Sequence, residues 1–309
     1  MPWFKGNLHT HTNKSDGDSS PERVINWYKK NKYNFLVLSD HNQITILKNN
    51  TSKLLLIPGE EITVNIPYPI HLNAIGIKNV IKPTIRTSKV ATLQANINNI
   101  ISAGGLAQIN HPNFRWALTG DDLVGIEGGH FIEIYNGNFD SHNNGGGGKK
   151  SVEEMWDQML TNNIKIWGVA VDDSHHFKEE FRPTRMNPRR GWVEVFAKDL
   201  SEVNILKSLI SGDFYFSTGI KFKNISYKNN KIKIKIFGDI YHEDTLKKIF
   251  INDSKYTTQL ISNNGKIIDE AHGKNVVFNL EEINKNLTYL RTKTISTTGC
   301  LGWTQPYFI

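Results

Sequence analysis

The 309-residue chain carries 37 Lys+Arg against 30 Asp+Glu, a net charge of +7, and its length supports a substantial core and about two domains. No apolar run approaches the roughly 18 residues that span a bilayer, and MPWFKGNLHTHT lacks the basic-then-apolar order of a secretory leader, so no membrane association is expected. Cys300 is the only cysteine, which excludes an intrachain disulfide and fits a cytoplasmic compartment, although a secreted chain with its leader trimmed would read the same.

In chain order, WFKGNLHTHT is expected as the first strand, running into a loop at Ser15, Asp16 and Gly17. Residues i and i+2 of a strand share a face, so His9 and His11 project together. Taken alone, the pair reads equally well as metal ligands or as the exposed face of a strand end. The helix SPERVINWYKK follows, with Ser20 as its cap and Pro21 in its first turn. Further strands are expected over residues 34–39, 54–57, 71–77, 106–110, 131–135, 166–171 and 192–197. Between several of them lie the helices TLQANINNIISAG, SVEEMWDQML and SEVNILKSLIS. Strand–helix alternation with nearly all-apolar strands implies a mostly parallel sheet or barrel, whose active groups gather at the C-terminal strand ends. The low-complexity run NNGGGG (residues 143–148) reads as a mobile loop over the barrel mouth.

The pattern changes near Gly219. Residues 1–219 hold 23 Lys+Arg and 22 Asp+Glu and nine of the eleven histidines, whereas residues 220–309 hold 14 and 8. After Gly219 the periodicity is two: KIKIKIF (231–237) alternates Lys with Ile, and short strands are expected at 248–252, 257–261, 275–280 and 289–293. Two domains follow, an α/β unit over 1–219 and an all-β sandwich over 220–309. The lysines of KIKIKIF read as a solvated sheet face.

The strand ends of the first unit carry the chemistry. The second ends in Ser39-Asp40-His41, the third in Pro58-Gly59-Glu60-Glu61, and the fourth opens on His71. The fifth ends in Asn110-His111-Pro112, the sixth lies in GHFIEIYNG, and the seventh ends in Asp172-Asp173-Ser174-His175-His176. A single histidine at a strand end is ordinarily structural. Recurrence of imidazole and carboxylate around one rim, without thiolate, is a ligand set for zinc, manganese or iron.

In this order HTHTNKSDG, SDHN, PGEEIT, INHP and DDSH resemble the PHP (polymerase and histidinol phosphatase) superfamily of metal-dependent hydrolases. HLNAIGI, INHPNFRWALTGDDL, EIYNG, AVDDSH and the terminal WTQP resemble its CehA/McbA-type branch. The resemblance implies a distorted (βα)7 barrel with two or three divalent ions. Position by position, it implies His9, His11 and Asp173 at a first metal, Glu61 bridging to a second completed by His71 and His111, and Asp16, His41 and His175 at a third. The family's Gly-x-Glu spacing favours Glu61 over Glu60, and its Asp-x-His spacing favours Asp173 over Asp172. Asp40 is expected to orient a histidine rather than to bind metal.

Two or three adjacent ions suit phosphoryl transfer through a bridging hydroxide, so the expected activity is hydrolysis of a small phosphate mono- or diester, by a phosphatase or phosphodiesterase. Glu61 and Asp173 would serve catalysis through the metals, and His176 or His142 would protonate the leaving group. Asn136, Arg115, Arg189 and Arg190 are the chief candidates for substrate binding, with Arg182, Arg185, Lys149 and Lys150 behind them; each arginine or lysine reads equally as a solvated surface charge. A carboxylic or carbamate ester hydrolase is the competing enzyme, favoured if aromatic residues such as Trp116, Phe139 and Phe177 wall the pocket. A nuclease would need a basic groove, which a nearly neutral first unit does not offer, so no nucleic-acid partner is expected. A non-catalytic module retaining metals for structure is the alternative of a different class.

Overall fold

A computed structural model describes the chain except for residues 48–52, 179–181, 240–252, 282 and 284–285. Strands and helices alternate as β1 (Trp3–Asn7), α1 (Pro21–Lys30), β2 (Phe35–Leu38), β3 (Leu55–Val64), β4 (Ile70–Ile75), α2 (Lys89–Ser102) and β5 (Leu106–Ile109). There follow α3 (Gly120–Val124), β6 (Phe131–Asn136), α4 (Val152–Thr161), β7 (Trp167–Val171), β8 (Trp192–Phe196), α5 (Glu202–Ser211) and β9 (Phe214–Ser217). Every one of these helices begins at a Ser or Thr whose hydroxyl accepts a first-turn N–H: Ser20, Ser88, Thr119, Ser151 and Ser201. Among the described residues, no helix is long and apolar enough to cross a membrane.

The strands join in the order β7-β6-β5-β4-β3-β2-β1-β8-β9. β1–β2–β3 and β5–β6–β7 pair in parallel, whereas β4 runs antiparallel to both its neighbours and β8 antiparallel to β1. β3 and β4 form a hairpin, since too few residues separate them for a crossover. Among the described residues the sheet does not close into a continuous barrel ladder. β1 and β7 meet beyond their ends at a single parallel bridge, Thr10 with Ser174. There the Asp173 N–H donates to the His9 carbonyl and the His11 N–H to the Ser174 carbonyl, both at 3.0 Å. These two bonds bring the first and last site-bearing segments together. Helices cover the sheet, and Phe35, Val37, Leu72, Ile97, Ile109, Ile132, Val169 and Val193 contribute to the core between them.

The rest of the chain is antiparallel: β10 (Ile220–Lys228), β11 (Lys231–Asp239), β12 (Tyr256–Ser262), β13 (Lys266–His272), β14 (Asn275–Asn279), β15 (Tyr289–Ser296), β16 (Leu301–Thr304) and β17 (Tyr307–Phe308). β10, β11 and β14 form a three-stranded sheet. β13-β12-β15-β16 instead extends the main sheet, because β16 pairs with β9, placing Trp303 opposite Phe216. The two layers share a core in which Phe222, Ile232, Ile234 and Phe278 meet Tyr256, Leu260 and Leu290. Along β11 the isoleucines are buried and Lys233 and Lys235 exposed, as period-two patterning requires. The strand expected at 248–252 lies outside the described residues.

β15 is also tied to α4. Arg291 places Nε 2.7 Å from Asp157 Oδ1 and Nη2 2.6 Å from Asp157 Oδ2, while its Nη1 donates to Glu153 at 2.8 Å. The guanidinium is buried, and Tyr289 donates a further bond to Asp157 at 2.7 Å.

Candidate metal centre

The site is built from strand ends and from two strand interiors. His9 and His11 follow β1, Asp16 lies in the next loop, and His41 follows β2. Glu61 stands within β3 and His71 within β4, His111 follows β5, and Asp173 and His175 follow β7. The antiparallel β3–β4 hairpin sets Thr63 opposite His71 and Glu61 opposite Asn73, so Glu61 and His71 are brought to the same cluster by register.

Glu61 is at the centre. Its Oε1 lies 3.4 Å from His9 Nε2, 3.3 Å from His71 Nδ1 and 3.3 Å from His111 Nε2. Its Oε2 lies 3.3 Å from His11 Nε2 and 2.9 Å from His41 Nδ1. Asp173 Oδ1 faces the first histidine pair, 3.2 Å from His9 Nε2 and 3.3 Å from His11 Nε2. Towards solvent, Asp16 approaches His11 at 3.5 Å, His41 at 3.3 Å and His175 at 3.3 Å, and the His11 and His175 rings stack at 4.1 Å.

These donors fall into four overlapping groups: His9, His11 and Glu61; His9, His111 and Asp173; Glu61, His71 and His111; and His11, Asp16, His41 and His175. Within each group the ligand atoms lie within 4.8 Å of one another. All nine residues expected from the resemblance are therefore in one cluster. His11 faces Asp16 as well as Glu61, and His9 faces His111 as well as His11. Imidazole nitrogens aimed at each other, as His9 Nε2 and His11 Nε2 are at 3.1 Å, are lone pairs sharing a focus; a divalent ion fits that donor set.

Charge in the cluster is strongly coupled. Burial opposes ionisation of Glu61, but His9, His41 and His71 overcome it and hold the carboxyl well below its ordinary value. Asp173 is held well below likewise, against burial, by His9, His11 and His175. Burial also disfavours charge on His9 and His41. The carboxylates of Asp173, Glu61 and Glu133 nevertheless raise His9 well above its usual range, and Glu61 and Asp16 raise His41 to about 10. The buried carboxylates thus demand positive charge at the focus of the site.

Several groups absent from the sequence reading hold the donors in place. Glu133, inside β6, accepts at 2.6 Å from His9 Nδ1 and at 2.8 Å from the His111 amide. Gln108 donates to Glu133 at 2.9 Å, and Asn110 donates to Glu61 at 2.8 Å. The available signal for Glu133 was a lone carboxylate in the apolar strand FIEIYN. His111 and Asp173 adopt positive φ of 25° and 47°, conformations that non-glycine residues hold only under external constraint. The Glu133 carboxylate and the His9 carbonyl, which anchor their amides, supply that constraint.

At each of the two ambiguous pairs one carboxylate faces the cluster and its neighbour does not. Glu60 turns away from the cluster and accepts from the Ile81 amide at 2.6 Å. Asp172 accepts from Tyr28 at 2.7 Å and from the Arg190 amide at 2.6 Å. Asp40 differs from expectation: it holds no histidine, but accepts from the Thr12 amide at 2.7 Å and from the Thr12 and Ser15 hydroxyls at 2.8 Å. It pins the loop that carries His11 and Asp16.

The expected substrate residues gather less well. The pocket over the cluster is lined by eight of its histidines and carboxylates, all but His9, together with Phe114, Asn138, Asp140, Ser141 and Met186, and among the described residues by no Lys or Arg. Asn136 spends its amide on Glu133 and Asp173, at 2.8 and 3.1 Å, and so positions ligands. Arg190 donates to the Gly137 carbonyl at 2.8 Å, and Arg189 to Asn31 at 3.2 Å at the end of α1. Arg115 is exposed, 5.3 Å from the Phe114 ring. His176 accepts from the Met186 amide at 3.3 Å and does not line the pocket. His142 stacks on Trp116 at 4.7 Å. The glycine run beside it closes into a turn through reciprocal Gly146–Lys149 bonds of 3.0 Å and lines a separate hollow together with Lys149 and Lys150.

No protein-family profile and no curated protein matches the chain. Among solved structures, it is similar over 94% of its length to a two-domain Bacteroides vulgatus protein described as containing a predicted PHP-like metal-dependent phosphoesterase. The match covers 90% of that chain with a TM-score of 0.51 at 15% identity, which establishes a shared fold. PsfC from Pseudomonas syringae (TM-score 0.44, 11% identity, 68% of this chain and 89% of that one) and an amidohydrolase from Chromobacterium violaceum (TM-score 0.39, 16% identity, 59% and 93%) are more distant in structure. Fold and donor set together define an α/β protein with a candidate multi-metal centre.

Proposed function

We propose that this chain is a PHP-type metal-dependent phosphoesterase, hydrolysing a small phosphate mono- or diester with two or three divalent ions, manganese, zinc or iron. The observation that carries the reading is the placement of Glu61, whose two oxygens face five imidazoles belonging to different donor groups. A carboxylate so placed would be able to hold two ions at once. The likeness in fold to a protein named for a PHP-like metal-dependent phosphoesterase supports the reading.

When bound, the ions would lower the pKa of water towards neutrality and neutralise charge on the phosphate oxygens. The chain's own residues do the rest. His9, His11 and Asp173, with Glu61, hold the inner position; His71 and His111 share Glu61 with them; Asp16, His41 and His175 hold the outer one. Glu133 fixes His9 with Nε2 presented to the site. Asn136 keeps Asp173 turned inwards. The pocket needs no arginine to bind phosphate if the ions supply the charge.

That same absence of Lys and Arg from the lining favours the second reading, a carboxylic or carbamate ester hydrolase. Aromatic walls lend it little, since Phe114 lines the pocket but Phe177 packs in a separate core with Tyr28 and Trp192. The test is turnover of p-nitrophenyl phosphate, bis-p-nitrophenyl phosphate and p-nitrophenyl acetate after loading with each metal. Preference for a phosphate ester, abolished by chelation, is the expected result. Preference for the acetate would transfer the assignment to the second reading.

A further inference from the structure

The wall of the pocket that does not bind metal has a chemistry of its own. It is formed by the loop after β6, where Asn138, Asp140 and Ser141 line the pocket. Asn138 Oδ1 and Asp140 Oδ1 are buried and accept no hydrogen bond from any described group. Buried acceptors are ordinarily paired, so two unpaired ones on one pocket wall mark a place where a donor is missing.

The loop is rigidly held, so these acceptors are placed rather than loose. The Asn138 amide donates to Asn136 Oδ1 at 2.8 Å, and the Ser141 hydroxyl donates to the Asn138 carbonyl at 2.7 Å. Asn143 and Asn136 exchange two further bonds of 2.8 and 3.0 Å. Gly137 permits the turn out of β6, because a Cβ there would sit 2.7 Å from the Asp172 carbonyl. Among the described residues, no cationic side chain lines the pocket to satisfy Asp140.

We infer that Asn138 and Asp140 form a subsite for the leaving alcohol of the substrate, and that this alcohol carries hydrogen-bond donors: it is a polyol or an amino alcohol. The inference rests on the ester-hydrolase reading of the metal centre and adds the class of substrate to it. A hydroxyl or ammonium group next to the ester oxygen pairs with Asp140, while the phosphate lies over the metal ligands. An alkyl or aryl alcohol leaves the same acceptors buried and unpaired, and is selected against.

The experiment compares esters that differ only in the donor, using the metal-loaded full chain. The pairs are glycerol phosphate with propyl phosphate, and ethanolamine phosphate with ethyl phosphate. For the wild type, kcat/KM should favour the donor-bearing member of at least one pair by about tenfold. Asp140→Ala should bring that ratio to about one. Asp140→Asn, nearly isosteric, carries the test if the alanine variant does not fold: it should erase an ammonium preference and only weaken a hydroxyl preference, which separates the two alcohols. A wild type without preference in either pair, or a preference that survives Asp140→Ala, would overturn the inference; so would an equal loss on both members of a pair. If acetates are hydrolysed and phosphates are not, the phosphoesterase reading fails, and glyceryl acetate against propyl acetate decides the subsite by the same ratio. Hydrolysis of none of these esters would overturn both.

Discussion

His9 Nδ1 lies 2.6 Å from Glu133 Oε1, with both side chains completely buried. That contact leaves Nε2 of His9 as the nitrogen facing Glu61 and Asp173. The carboxylate fixes both the tautomer and the ring plane of a candidate metal ligand, and it also anchors the strained His111 backbone.

Replacing Glu133 with Gln should therefore weaken metal binding without removing a ligand. The expected loss is about 10–100-fold in affinity for manganese or zinc, measured by equilibrium titration of the apo-protein. Unchanged affinity would mean that His9 is oriented by its own packing.

Glu61 and Glu60 are neighbours with opposite directions, which makes them a matched pair. Glu61→Gln should lower kcat at least a hundredfold, or about 2.7 kcal/mol of transition-state stabilisation. Glu60→Gln, whose side chain lies on the other face of β3 against Ile81, should cost far less. Steady-state kinetics of the two variants at saturating metal decides the register of the site.

Glu60 also predicts a pH dependence of stability. Burial raises its pKa from 4.5 to about 7, with only the Ile81 amide opposing the rise. Between those two values the folded chain holds more protons than the unfolded one, so the contribution of Glu60 to stability falls as pH rises through this window. The penalty is absent below it and complete above it. Glu60→Gln, measured with chelator present, should gain on the wild type between pH 5 and pH 8 by on the order of 2 kcal/mol. Parallel stability curves over that range would exclude a buried, proton-binding Glu60.

Arg291 locks β15 to α4 through Asp157 and Glu153. Arg291→Ala leaves the buried Asp157 carboxylate without its cation, with Tyr289 as its remaining donor, while Glu153 keeps Lys293 at 2.6 Å; breaking such a buried pair costs about 3–5 kcal/mol. Chemical denaturation should show that loss. A change within about 0.5 kcal/mol would mean the network is solvated.

The donor cluster was legible because its residue types are rare together and recur at strand ends, where an α/β sheet places functional groups. Glu133 was not, since a lone carboxylate in FIEIYN names no partner and only the fold brings it to His9. The arginines and His176 mislead for a related reason: sequence locates them near the rim, but their direction depends on carbonyls at Gly137 and Arg182 and on the Met186 amide. KIKIKIF reveals its strand because its alternation is strict. The reversal of β4 and the joining of β16 to β9 leave no periodic trace, so neither the hairpin at His71 nor the continuous sheet past Gly219 was visible.

Metal stoichiometry tests most directly whether Glu61 joins adjacent metal positions. Elemental analysis of the chain reconstituted with manganese or zinc should find at least two ions per chain, and at least one fewer in Glu61→Gln. Less than one ion per wild-type chain after reconstitution would contradict the account.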